Sequence, residues 1–590
     1  MSPLDEYSQR LTLREQSKVR WDTRSARIET ARLGSAALFL ILACTSLARG
    51  TPSSLWLLPP TALFLALVVY HQRIRTRRAL AARAVTYYSD GLERLKGRRQ
   101  ARDMADSHFV DEHHLYGADL DLFGTQGLYR SLCKARTPMG EATLAHWLLN
   151  PADLDTIHDR HRSIAELRRR VDLREDLALQ GDLKRIELHT ASLTEWVRAP
   201  DQLSRPWLRP TGLLLTLLAA ATAVVWAVWD IVFPFLAVLV IQAGITYALR
   251  DRVRAAVQGV EHAYEDLKLL STLLRRIESE PFEAPPLRAL TAKLASHTLP
   301  ASVTLSKLAT IVGFVEARRN PLLVPLMLPL MYTIQAALAA ERWRRLHGHV
   351  VESWLGALGD MEALLSIATY SFEHPEDPFP EFLEGPAAFQ ATGLGHPLIS
   401  PQSRVRNDVE LSGATRVLLV SGSNMSGKST LLRSVGINTV LAMAGAPVCA
   451  TRLRLTPLQV GASIRVNDSL YEGSSRFYAE ITRLRQLFEP SRLPLVFLLD
   501  ELLQGTNSTD RRIGAQGVLR ALLERGAIGL ISTHDLAISD GLDIAPGALR
   551  NVHFQDELID GKLKFDFKLQ DGIVTKSNGV ELMRAIGLNV

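Results

Sequence analysis

Apolar and polar positions are spread unevenly along the chain. Two blocks are nearly free of charge: between Leu33 and Tyr70 only Arg49 is charged, and between Pro210 and Leu249 only Asp230. Each block breaks near its middle. The first gives Leu33–Ala48 and Leu55–Tyr70, around Arg49-Gly50-Thr51-Pro52; the second gives Thr211–Trp229 and Ile231–Leu249, around Asp230. A helix needs about 20 apolar residues to cross a bilayer, with a range of about 17–25. The second pair, at 19 residues each, meets that length. The first, at 16 each, is marginal, and Pro59-Pro60 is expected to disturb the start of its second helix. The pattern predicts two helical membrane hairpins. The competing expectation is a pair of core hairpins buried in a large soluble helical domain.

The flanking charges favour the membrane. Arg20, Arg24, Arg27 and Arg32 precede the first pair, and Arg73, Arg75, Arg77 and Arg78 follow it. Arg205 and Arg209 precede the second, and Arg250, Arg252 and Arg254 follow it. The loop inside each pair carries at most one basic residue, so both ends of each hairpin are expected in the cytoplasm. The expected localisation is a multi-pass membrane protein with its soluble parts on the cytoplasmic face.

From Gly124 to Gly359 the apolar spacing is helical. Arg252–Glu280 reads as one long helix with a stripe through Val253, Val257, Val260, Leu267, Leu270 and Leu274. Pro321–Ala340 is apolar but holds Pro325 and Pro329, and reads as buried helix, not a fifth span. His374–Gly395, rich in Pro, Gly and acidic residues, reads as a linker. Beyond it, the short runs Val417–Val420, Leu495–Leu499 and Ile528–Ser532 alternate with helical segments, the signature of an α/β sheet domain. The expected organisation is multidomain. Residues 1–110 hold the first hairpin (about 33–48 and 55–70) and a basic helix. Residues 111–390 form a mainly α-helical core with the second hairpin (about 211–229 and 231–249) inserted. Residues 391–590 form the C-terminal α/β domain.

Composition refines this picture without redirecting it. A length of 590 residues fits about three to five domains, and 47% apolar with 22% charged residues excludes a mainly disordered chain. The net charge of +6 is weak evidence for nucleic acid. His71–Asp103 carries ten Lys/Arg against three Asp/Glu, but it follows an apolar segment directly and suits anionic head groups. Cys44, Cys133 and Cys449 lie far apart, which excludes a dense disulfide framework and a zinc ribbon. Met104–Leu122 is rich in His and acidic residues, but it shows no clean metal-ligand spacing.

Three motifs carry the chemistry. Gly422-Ser423-Asn424-Met425-Ser426-Gly427-Lys428-Ser429-Thr430 lies between a predicted strand and a predicted helix, the context of a P-loop. Glycines let the backbone approach phosphate, and the helix N-terminus favours the anion. Lys428 is expected on the β- and γ-phosphates of ATP and Ser429 on Mg²⁺. Leu495–Leu499 then runs into Asp500-Glu501, a Walker B pattern: Asp500 for Mg²⁺, Glu501 to orient or deprotonate the attacking water. Ile531-Ser532-Thr533-His534 ends a further strand, with His534 in reach of the γ-phosphate or that water.

At these residues the chain resembles the MutS family, mismatch-repair ATPases of the ABC/SMC-like class. The family's loop runs G-P-N-M-G-G-K-S-T, and this chain departs only at Ser423 and Ser426. Gly395-His396-Pro397-Leu398 and Asn407-Asp408 resemble the segment near the adenine. Ile464–Leu470 and Glu472–Glu480 resemble the stretch leading through the family's signature. There Ser475 matches the serine that contacts the partner subunit's γ-phosphate, while Glu472 and Arg476 replace a Ser and a Thr. Asp500–Asp510, Phe565–Leu569 with Ser577-Asn578-Gly579, and Leu128–Pro151 match further family blocks. The resemblance spans about Asp119–Val590 and leaves no room for the mismatch-reading domain. It implies Mg²⁺-dependent ATP hydrolysis at a composite homodimer site and DNA as a candidate partner, with the lipid bilayer added by the hairpins. The alternatives are an ABC-type transporter and a membrane-anchored, ATP-switched scaffold without DNA binding. Against transport, the LSGGQ signature is missing and the hairpins lack polar residues to line a path.

Overall fold

The computed structural model describes residues 2–49, 53–97, 109–111, 113–180, 190–203, 205, 207–295, 299–317, 327–423, 425–464, 476–503, 506–533, 547–559 and 562–573. They fall into two units. The first comprises Met1–Gln100, Val171–Glu280 and Leu294–Glu352; the second comprises Ala101–Arg170, Pro281–Lys293 and Ser353–Val590.

The first unit is helical. Pro3–Arg49 and Leu58–Leu95 pair as a hairpin far longer than its apolar halves. Pro59 and Pro60 do not disturb the second helix, because they occupy its first turn, after a 3-10 turn at Ser54–Leu57. Proline is tolerated there, since the N–H it lacks has no helical partner anyway. At the polar end Tyr7 and Tyr88 meet edge to face, with centroids 5.6 Å apart. A Cβ on Gly91 would lie 2.7 Å from the Tyr7 ring, so the close approach needs glycine. The Tyr88 hydroxyl donates to Glu175 (2.7 Å), Arg14 pairs with the same carboxylate (2.6 Å), and Arg10 reaches Asp172 (2.5 Å). This network ties the hairpin base to the helix Val171–Gln180.

The second hairpin, Leu208–Trp229 and Phe233–Val257, turns at Asp230, whose φ of 57° is left-handed. Its inner face joins a core that includes Leu215, Val253, Val315, Met331 and Ala337. Gln242 is fully buried on this face, and its amide donates to the carbonyls of Leu215 (3.0 Å) and Pro329 (3.1 Å). The second hairpin is thus not wholly apolar inside, as its pattern suggested. Among the described residues, four helices of this unit are long and apolar enough to cross a membrane, and only 6% to 22% of each apolar window is buried in the protein.

The predicted single helix Arg252–Glu280 is two helices. The first stops at Val257 and the second runs Tyr264–Glu278. Gly259 breaks the run with φ 99°, and a Cβ there would sit 3.2 Å from the Ser192 carbonyl. Of the apolar stretch read as Pro321–Ala340, only residues from 327 on are described, and its helix starts at Tyr332.

The second unit carries two sheets. Its strands are β1 (Glu381–Phe382), β2 (Phe389–Leu394), β3 (Asn407–Leu411), β4 (Val417–Ser421), β5 (Arg452–Leu455), β6 (Gln459–Ser463), β7 (Leu495–Asp500), β8 (Ile528–Ser532), β9 (Leu549–Ile559) and β10 (Lys562–Asp571). The larger sheet has the order β10-β9-β4-β8-β7-β6 and is parallel except for β10. Strands β4, β7 and β8 are buried almost throughout, as expected where helices cover a parallel sheet. The smaller sheet, β1-β5-β2-β3, takes β1 and β2 from the stretch read as a linker. Phe389, Ala391 and Leu394 of β2 are buried, a pattern broken by a register shift between Ala391 and Leu394 and hidden among the Pro, Gly and acidic residues around it.

Candidate functional site

The site lies at the carboxyl ends of β4, β7 and β8, where ligands gather on parallel sheets. β4 leads into the glycine loop, and the helix Lys428–Met443 leaves it with Gly427 as its cap. Gly422 has φ 148°, and a Cβ on it would lie 2.7 Å from Ser426 Oγ. Gly427 has φ 108°, and its Cβ would come within 3.2 Å of the Phe567 ring. Met425, also left-handed at φ 70°, points outward.

Lys428 is buried, and its ammonium donates to the carbonyls of Gly422 (2.8 Å) and Ser423 (3.0 Å). Burial lowers its pKa, while the charges of Glu501 and Asp500 raise it. The hydroxyls of Ser423 and Ser426 are buried without a hydrogen-bond partner. Ser429 is half-buried and Thr430 exposed on the first helical turn.

Asp500 ends β7 opposite Ser532 of β8. The Ser532 hydroxyl donates to Asp500 Oδ1. The Glu501 N–H donates to both the Ser532 carbonyl and the Ser532 hydroxyl, each at 3.1 Å. Glu501 and Leu503 have φ of 50° and 58°. The tight turn is closed by Glu480, buried on the helix Arg476–Gln486, whose carboxylate accepts from the Leu503 N–H at 2.5 Å.

Beside the loop opens a cleft of about 280 Å³ lined by Leu394, His396, Asn407, Gly427, Phe554 and Phe567, among others. Asn407 uses its amide to shape this cleft. Its Nδ2 donates to the Phe567 carbonyl (3.0 Å) and its Oδ1 accepts from the Leu569 N–H (2.9 Å). Those bonds hold a bulge in β10 between Phe565 and Leu569, with Phe567 at φ 55°.

The acidic and histidine-rich stretch before the first core helix is a brace. His114 bonds the Leu149 carbonyl (3.1 Å), and Asp119 accepts from Arg483 and from the Ile464 N–H, each at 2.6 Å.

The fold therefore brings together Gly422, Ser423, Met425, Ser426, Gly427, Lys428, Ser429, Thr430, Asp500 and Glu501, with Asn407 at the neighbouring cleft. Asn424, Ser475 and His534 lie outside the described residues, as do Glu472, Gly505 and the Ser577-Asn578-Gly579 element. The motifs alone do not reveal Phe567 and Ser532 as site residues. Both lie inside motif blocks that give them no role of their own: Phe567 gains its place through a bulge and Ser532 through strand adjacency.

Fold and site define a class first: a parallel α/β domain whose strand–glycine loop–helix stands beside two carboxylates on the same sheet edge. Residues 418–589 match the family model of MutS domain V. Over 237 residues, 39% of this chain is 32% identical to 27% of the DNA mismatch repair protein MutS 2 of Halobacterium salinarum. The Endonuclease MutS2 of Thermus thermophilus is 39% identical over 140 residues, 24% of this chain and 18% of that protein. The DNA mismatch repair protein MutS of Brevibacillus brevis is 32% identical over 210 residues, 34% of this chain and 24% of that one. The chain thus spans about a fifth to a quarter of the length of these curated relatives. The similarity is to MutS proteins, and in the C-terminal segment to their domain V.

Proposed function

We propose that this chain is a membrane-anchored MutS-type ATPase. The observation that carries the reading is the glycine loop with Lys428 beside Asp500 and Glu501, at the ends of two strands, β4 and β7, that flank β8 in one sheet. The loop's amides and the helix N-terminus receive the phosphates, and Lys428 turns from its two carbonyls to them. The apolar cleft with Phe567 and His396 takes the base.

The donor set fits Mg²⁺: the Ser429 hydroxyl and the Asp500 carboxylate are hard oxygen ligands. The unpartnered hydroxyls of Ser423 and Ser426 add polarity to a loop built for an anion. Mg²⁺ would supply charge neutralisation at the phosphates. Glu501 holds or deprotonates the attacking water, aided by His534. In two facing copies Ser475 of one serves the phosphate of the other, and the homodimer completes the site. The helices within Pro3–Ala48, Leu55–Leu95, Leu208–Trp229 and Phe233–Val257 anchor the chain in the bilayer, with the ATPase in the cytoplasm. The relatives' names carry mismatch repair and an endonuclease, and DNA is the partner we assign by that likeness.

The test is phosphate release by the purified chain alone and with duplex, mismatched or branched DNA. Stimulation by DNA supports the full reading, and turnover without stimulation removes the DNA partner. The four candidate spans favour a transporter as second reading. ATP-driven solute uptake in vesicles would replace the DNA reading with it.

A further inference from the structure

Ser532 is the last residue of β8, fully buried, and it faces Asp500 in the strand register. Its position gives it two tasks at once. The hydroxyl donates its proton to Asp500 Oδ1, and the same oxygen accepts the Glu501 N–H at 3.1 Å. The Ser532 carbonyl accepts that N–H too, also at 3.1 Å. One side chain therefore bridges the carboxylate assigned to the cation and the peptide of the residue assigned to the water.

We infer that Ser532 is a positioning residue: its hydroxyl fixes the Asp500 carboxylate for cation binding and steadies the left-handed Glu501 backbone for water activation. The inference rests on the nucleotide reading above. Two physical reasons carry it. A carboxylate with one oxygen tied to a buried donor cannot rotate freely, so its other oxygen is presented in a defined direction. Glu501 at φ 50° occupies a conformation that non-glycine residues rarely adopt and that must be held by its surroundings. The ladder bond through the Ser532 carbonyl belongs to the sheet, and any residue at 532 would make it. The hydroxyl bonds are additional and belong to the site.

The experiment uses the full chain in detergent or lipid, with ATP as probe and Mg²⁺ titrated. S532A keeps the carbonyl bond and removes only the hydroxyl. The Mg²⁺ midpoint for ATP binding is expected to rise about tenfold, as follows from losing one hydrogen bond to a charged group. ATP affinity in EDTA stays at the wild-type value, and kcat falls. S532T retains a hydroxyl on a β-branched side chain suited to a strand, and restores the midpoint. An unchanged midpoint in S532A overturns the inference, as does an equal loss of ATP affinity with and without Mg²⁺. S532T behaving like S532A overturns it as well. A wild-type chain that binds no ATP under any condition fails the nucleotide reading instead, so the two failures are separable.

Discussion

At the residue scale, two carboxylates stand in contrast, Glu501 half-buried and Glu362 buried. Glu501 stands at the edge of the site, where Glu501→Gln keeps the shape and replaces the carboxylate proposed to act on the water. ATP binding should persist, and turnover should fall roughly 10²-fold or more, measured as steady-state phosphate release against nucleotide binding. Unchanged turnover rejects Glu501 as the water-orienting group. Glu362 is structural. It accepts from the N–H groups of Arg136 (3.0 Å) and Thr137 (3.3 Å) and from the Thr137 hydroxyl, at the start of the helix Pro138–Leu149. Burial nevertheless outweighs these bonds and pushes its pKa from 4.5 up to about 7. The folded chain then binds more protons than the unfolded one between those values. Glu362 therefore contributes stability that is present below pH 4.5 and lost as pH rises through 7. Denaturant unfolding at a series of pH values should show that decline, and Glu362→Gln should flatten it.

At the element scale, segments are fixed by partners far away in sequence. The bulge of β10 exists in this form because Asn407, 160 residues earlier, bonds both sides of it. Asn407→Ala frees Phe567 and should weaken ATP binding about tenfold while the melting temperature stays close to wild type. Equal affinity would show that the bulge holds itself. The polar base of the first hairpin depends in the same way on Glu175. Glu175→Ala leaves the buried Tyr88 hydroxyl without its acceptor and Arg14 without its ion pair, and should destabilise the first unit by about 2 kcal/mol. Arg14 is partly exposed, which keeps the figure below that of a fully buried pair. Urea unfolding followed by circular dichroism measures it.

At the scale of the whole molecule, the three cysteines test the membrane reading. Cys133 and Cys449 are buried, and burial pushes their thiols up to about 11 and about 12. Both should stay unlabelled until the chain unfolds. Cys44 lies on the open face of the first apolar helix. In intact vesicles, lipid should shield it from a water-soluble maleimide, and denaturation in SDS should release it. Rapid labelling in intact vesicles would sink the first span.

Local chemistry is legible in sequence because it is written in consecutive residues. Strand–loop–helix around Lys428, the Asp500-Glu501 strand end and the apolar blocks each depend on periodicity or contiguous motif, so each could be read before any fold was known. The end of the helix at Val257 was not, because a valine-rich stripe continues through a glycine whose backbone approaches Ser192. The strands β1 and β2 were not, because their pairing with β5 reaches some 60 to 70 residues ahead. Ser532 and Phe567 join the site only through register and a bulge. Sequence by itself determined where the motif residues and the uncharged apolar stretches lie. The tertiary structure decided which of them meet, because strand neighbours and carboxylate geometry are set by contacts between residues that the chain keeps far apart.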